Sequence, residues 1–206
     1  MKDYKTYAFD MDLTLLDTLE TSTIAYRAAI ELMNCVFEPS KVVYMLSTPL
    51  TTTYDELENP TKPYKDFLDE FVRVARETFL SGSHFYKDSL EVLKLLYSEG
   101  KTLAIVTNRD SRVVIDILKQ EGILHYFSSI ITCDKVKNLK PNPEPILKCL
   151  EETNTCKEDF VYIGDAKNDW MSACNAGVDF IAIERYNNCQ FDAKTKVHSL
   201  LDIKKD

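Results

Sequence analysis

Short apolar runs bounded by turn residues recur along the chain at 7–10, 102–107, 130–132, 160–163 and 180–183, and each predicts a buried strand. Between the later runs the apolar positions change period. Leu90, Leu93 and Leu96 in DSLEVLKLLYSEG share a helical face, with Gly100 as the stop. Val113, Val114, Ile117 and Leu118 do the same in SRVVIDILKQEG, stopped by Gly122. PEPILKCLEE carries proline near its start, where a missing N–H costs little. A further helix starts near Asn168 and stops at Gly177. This alternation predicts an α/β fold, a Rossmann-like parallel sheet with helices on both faces, in which ligands bind beyond the carboxyl ends of the strands. Asp10 and Thr107 stand at such ends, and Asp165 lies just past the fourth strand.

Residues 18–83 interrupt the alternation. TLETSTIAYRAAIELMN and PYKDFLDEFVRVARETFLSG are both helix-like, the second with Phe67, Phe71, Val74 and Phe79 near helical spacing. Between them, LSTPLTTTYDELENPTK is rich in threonine and turn residues. The pattern predicts a core domain of residues 1–17 and 84–206 with a small α-helical module of residues 18–83 inserted after the first strand.

With 45% hydrophobic residues and only 5 glycines, the chain can bury a substantial core. Its 25 Lys+Arg against 33 Asp+Glu give a net charge of −8, without a basic cluster, which argues against nucleic acid and anionic membranes as partners. No apolar run is long enough to span a bilayer. The sequence enters charged residues and then a strand without a secretory signal, so a cytoplasmic protein is expected. The 6 cysteines form no C-x-x-C pair and read as reduced thiols, mostly small buried hydrophobes.

Residues two apart on a strand point the same way, so Asp10 and Asp12 in AFDMDLTLLDT are expected to project together beyond the sheet. Two adjacent anions repel and call for a cation or a shared proton. Asp165 is a natural third ligand, with Asp169 four residues on; an oxygen-only set suits a hard ion, and Mg²⁺ fits one that keeps waters for a phosphate.

Taken in order, FDMDLTL, VTN, the lysine of KPNPEP, and GDAKND followed by MSACNAG resemble the four motifs of the haloacid dehalogenase-like hydrolases, in the branch with a helical cap after the first motif, as in phosphoglycolate phosphatases. The resemblance covers nearly the whole chain. It implies that the module of residues 18–83 is a cap domain, with flexible points at 16–19 and 81–83, and that the protein is a Mg²⁺-dependent phosphatase acting on a small phosphorylated metabolite. Asp10 would be the nucleophile that forms an aspartyl-phosphate, and Asp12 the general acid and then base. Thr107 and Lys140 would hold the phosphoryl oxygens, with the Asn108 backbone assisting. The metal would lie on Asp10, the Asp12 carbonyl and Asp165, with Asp169 acting from behind them or through water. An aspartate two residues after the nucleophile favours phosphate over halide chemistry, because a leaving alkoxide needs a proton.

The matching cap specificity loop falls at 46–54, with Ser47, Thr48, Thr51 and Tyr54 as candidate substrate contacts or, equally, members of a solvated turn. These side chains donate hydrogen bonds but cannot neutralise a second phosphate. A phosphosugar mutase of the β-phosphoglucomutase type is the alternative, and it wants a second cationic grip; Arg109 and Arg112 could provide one or could face solvent. A binding protein without turnover is the lesser alternative, disfavoured by the presence of Asp10, Asp12 and Lys140. Leu13 departs from the family pattern, which has glycine there.

Overall fold

The computed structural model describes residues 2–187 and 189–204. These fall into two compact units, one of Met1–Leu16 with Phe85–Asp206 and the other of Asp17–His84. In chain order the elements are β1 (Thr6–Phe9), β2 (Leu16–Asp17), α1 (Leu19–Leu32), α2 (Val42–Leu46), α3 (Leu50–Asp55), α4 (Tyr64–Gly82), β3 (His84–Phe85), α5 (Lys87–Ser98) and β4 (Thr102–Val106). There follow α6 (Ser111–Gln120), β5 (Phe127–Ile131), α7 (Glu144–Glu152), β6 (Phe160–Gly164), α8 (Lys167–Ala176), β7 (Asp179–Ile183) and β8 (Lys196–Val197).

The larger unit is built on a six-stranded sheet in the order β5-β4-β1-β6-β7-β8, with every pairing parallel. All five predicted runs are strands, each within a few residues of its expected bounds. The sixth, β8, is only two residues long and pairs with the end of β7. Every residue of β1 and β6 is buried, which is why these strands read as continuous apolar runs rather than as an alternation. On one face Ala8, Ala104, Val106, Phe160 and Tyr162 pack with Ile146, Cys149 and Leu150 of α7 and Ala173 and Ala176 of α8.

The smaller unit has its own apolar centre. Tyr26, Ala29, Ile30 and Met33, at helical spacing on α1 and its end, pack with Val42, Met45 and Phe67. Tyr26 closes it by donating its hydroxyl to the Met45 carbonyl at 2.9 Å and setting its ring 4.7 Å from Phe71. The threonine-rich stretch expected as a loop is partly helical: Pro49, extended at ψ 145°, starts α3 and so turns 50–55 into a helix. All six cysteines are free thiols, but only Cys149 and Cys189 are buried; Cys35 and Cys133 are half-buried and Cys156 and Cys174 exposed, so the expectation of mostly buried thiols does not hold. Among the described residues, no helix is long and apolar enough to cross a membrane.

Candidate active site

The first residues past three neighbouring strands carry the polar groups that the strand pattern places at this edge. Asp10 follows β1, Thr107 follows β4 and Asp165 follows β6. Each is buried, and the main chain is held at two of them: Asp10 donates its N–H to the Ile163 carbonyl and Thr107 its own to Ile131, both at 2.9 Å. These bonds continue the ladder by one step, so the side chains start from a rigid base.

One carboxylate oxygen from each of Asp10, Asp165 and Asp169 lies within 4.8 Å of the others. Asp169 reaches this group from the first turn of α8, where its Oδ2 accepts the Ala166 N–H at 3.0 Å and caps the helix. Gly164 makes room for it: a Cβ there would lie 2.6 Å from Asp169 atoms, so any side chain at 164 would push the carboxylate away.

Lys140 bridges the cluster. Its Nζ donates to Asp10 Oδ1 and to Asp169 Oδ1, both at 2.6 Å, and to the Tyr162 hydroxyl at 3.0 Å, with the Val106 carbonyl at 3.3 Å. The lysine is delivered by the segment before α7, which the Asn108 side chain holds by accepting the Lys140 N–H at 3.2 Å and donating to its carbonyl at 3.4 Å. The Lys140–Pro141 peptide is cis.

Burial decides the electrostatics. It pushes the Asp10 carboxyl above the usual carboxylate range, Asp169 and Asp12 add to the rise, and Lys140 opposes it. Asp165 is raised by burial and then by Asp169 and Asp10. For Lys140 burial alone would favour the neutral amine, but Asp10 and Asp169 outweigh it and hold the ammonium. Three buried carboxylates against one ammonium leave an excess of negative charge, which protons or a cation must relieve. The donor set is all oxygen, buried and convergent, and it therefore fits a hard divalent ion such as Mg²⁺.

Asp12 stands apart from that group and takes a different partner. Arg109 clamps its carboxylate bidentately, with Nε 2.6 Å from Oδ2 and Nη2 2.5 Å from Oδ1. The pair is partly exposed, at 21% and 23% of the two side chains. Arg109 thus faces the site edge rather than solvent alone, whereas Arg112 pairs with Asp110 and is exposed. Thr14 donates its hydroxyl to Asp165 Oδ1 at 3.1 Å. The turn between them passes through Leu13, which is buried and left-handed at φ 53°. It is tied by Leu13 N–H to Leu16 and by Leu15 and Leu16 N–H to Met11, at 2.8 to 3.0 Å.

The four residues of the expected specificity loop belong to the helical unit. Ser47 donates to the Tyr44 carbonyl at 2.8 Å, and Thr48 reaches the Tyr44 and Met45 carbonyls at 3.3 Å. Tyr54 packs against Tyr64 and Phe67 and gives its hydroxyl to the Lys62 carbonyl at 2.7 Å, while Thr51 is exposed. Sequence reasoning missed Tyr162, whose hydroxyl meets Lys140, Asp169 and Val106; within an apolar run it reads as one more core aromatic, and its hydroxyl is the only signal.

The family model described as haloacid dehalogenase-like hydrolase matches residues 7–183. Phosphoglycolate phosphatase of Vibrio cholerae is 33% identical over 190 residues, which cover 86% of this chain and 83% of that protein. Pyrophosphatase PpaX of Halalkalibacterium halodurans is 29% identical over 189 residues, 85% of this chain and 81% of that one. Among solved structures, CbbY from Rhodobacter sphaeroides in complex with phosphate has a TM-score of 0.80 over 98% of this chain and 96% of its own, at 17% identity, a likeness of fold.

Proposed function

The chain belongs to the haloacid dehalogenase-like hydrolase family, and on that premise we propose that it is a Mg²⁺-dependent phosphatase. It hydrolyses a small phosphorylated metabolite through an aspartyl-phosphate on Asp10. The observation that carries this reading is the buried Asp10–Asp165–Asp169 group with Lys140 bonded to two of its members.

Asp10 attacks phosphorus, forming a new P–O bond as the bond to the leaving oxygen breaks. Asp12, once one of its oxygens is released from Arg109, carries a proton and donates it to that oxygen. It then takes a proton from water, whose oxygen attacks phosphorus and releases Asp10 with inorganic phosphate. Thr107 and Asn108 orient the phosphoryl oxygens. Lys140 offsets charge that would repel an incoming phosphate; it contacts a phosphoryl oxygen only by yielding one of its present bonds, so neutralisation is its main contribution. Asp10, the Asp12 carbonyl and Asp165 would hold the metal, while Asp169 is turned toward Lys140 and the helix end. Mg²⁺ bound there supplies positive charge beside the transferring group, which is what phosphoryl transfer chiefly requires.

The names of the relatives, phosphoglycolate phosphatase and pyrophosphatase, support a small phosphorylated substrate. Arg109, a grip that a mutase could turn on a second phosphate, is engaged by Asp12, which supports hydrolysis over mutase chemistry. Purified protein is expected to release phosphate from an aryl phosphate, to stop with a chelator, and to lose nearly all turnover as Asp10→Asn. Undiminished turnover in that variant would exclude Asp10 as the nucleophile. With a sugar phosphate, appearance of an isomeric sugar phosphate instead of free phosphate would establish the mutase.

A further inference from the structure

Both turns that carry the site's carboxylates are held by the segment that follows β7. Arg185, two residues past that strand, donates Nη2 to the Thr14 carbonyl at 3.0 Å. Four residues further on, the Cys189 thiol lies 3.4 Å from the Asp165 carbonyl. Arg185 is itself built in firmly. Its Nη1 and Nη2 pair with the Asp88 carboxylate at 3.1 and 3.0 Å, and its guanidinium lies 3.8 Å from the Tyr86 ring centre. Asp88 is in turn fixed by the Ser199 hydroxyl at 2.9 Å and the Leu200 N–H at 2.8 Å. The Nε of Arg185 is buried and finds no hydrogen-bond partner among the described residues, a cost that packing alone gives no reason to carry.

Thr14 is fully buried, and its carbonyl has one other hydrogen bond among the described residues, from Ser89 Oγ at 3.5 Å. Its side chain is the donor to Asp165. The adjoining Leu13 holds a left-handed backbone, a conformation that persists only when its surroundings over-determine it. We propose that Arg185 is a positioning residue for the phosphatase site: by gripping the Thr14 carbonyl it fixes the turn after β1 and, through the Thr14 hydroxyl, the direction of the Asp165 carboxylate. The inference rests on the phosphatase reading for its kinetic part and on Asp165 as a metal ligand for its binding part.

The test is a double-mutant cycle of Arg185→Met and Thr14→Val in the full chain, with turnover of an aryl phosphate and Mg²⁺ affinity by calorimetry as separate readouts. Arg185→Met is expected to lower kcat about 30-fold with KM little changed, as a small misplacement of reacting groups does. It is expected to weaken Mg²⁺ binding about 10-fold, the effect of losing support behind a ligand. In the Thr14→Val background the same change should cost less than about twofold further in Mg²⁺ affinity, because the route through the Thr14 hydroxyl to Asp165 is already cut. Independent, multiplying losses of Mg²⁺ affinity, or a lowered Tm with kcat and Mg²⁺ affinity unchanged, would overturn the proposal. If Arg185→Met does not fold, Arg185→Lys, which keeps the charge beside Asp88 but lacks the planar fork, is read by the same criteria. A wild-type protein without phosphatase activity would defeat the functional reading alone, since the calorimetric arm still decides the role of Arg185.

Discussion

Replacing Leu13 by glycine sets two effects against each other. Leu13 is left-handed at φ 53° and 1% exposed. The left-handed conformation costs an ordinary L-residue about 1–2 kcal/mol, which glycine would recover. Against that stands the buried side chain: truncating a core leucine even to alanine costs about 2–5 kcal/mol. Glycine adds about 0.5–1 kcal/mol through its greater freedom in the unfolded chain. The loss exceeds the gain, and Leu13→Gly is expected to destabilise the protein by about 0.5–5 kcal/mol. Leu13→Ala separates the two effects, because it loses nearly the same packing and keeps the strain; it should fall about 1 kcal/mol below the glycine variant. Urea unfolding, followed by the fluorescence of the single tryptophan, Trp170, measures both. A glycine variant as stable as the wild type would mean that backbone strain, and not side-chain burial, dominates at this turn.

Tyr162→Phe keeps the ring and removes one hydroxyl that bonds Lys140, Asp169 and the Val106 carbonyl; it should cost about 1–3 kcal/mol in thermal or urea unfolding and lower kcat about tenfold by loosening Lys140. Unchanged stability would show that Lys140 and Val106 satisfy each other without it. Arg109→Met releases the Asp12 carboxylate from its clamp and is expected to lower kcat more than it raises KM, and equal effects on both would point to a substrate contact instead. Asp134 receives the Ser111 hydroxyl and N–H at the start of α6, and chiefly the hydroxyl bond holds its carboxyl down, to about 2. Because its folded value lies below the unfolded one, it stabilises above about pH 4 and loses that contribution as pH falls toward its folded value. Asp134→Ala should therefore flatten the acid limb of stability measured by urea unfolding across that window, and an unaltered slope would count against the assignment.

The parallel sheet was legible because β1, β4 and β6 are buried on both faces and so stand out as apolar runs. The two-residue strands β2, β3 and β8 carry no period at all, being defined only by the strands they pair with. Helix α3 was masked by threonines, whose local propensity speaks for a turn while Pro49 starts a helix. At the site, Asp10, Thr107 and Asp165 could be assigned to one edge from strand order alone. The Asp12–Arg109 pair and the Arg185 grip on Thr14 could not, since they join residues 97 and 171 positions apart. Nothing in a single sequence distinguishes those arginines from surface ones.

The position of β1 in the sheet has a consequence for where recognition can reside. Strand β1 is hydrogen-bonded on both sides, to β4 and to β6, while β5 and β8 form the edges. Its amides should be among the slowest in the protein to exchange with deuterium, since a central strand opens only with much of the sheet. Asp10 inherits that stillness. Adaptation to different substrates, in evolution or by design, must then be sought in segments that can change shape without disturbing the attacking carboxylate.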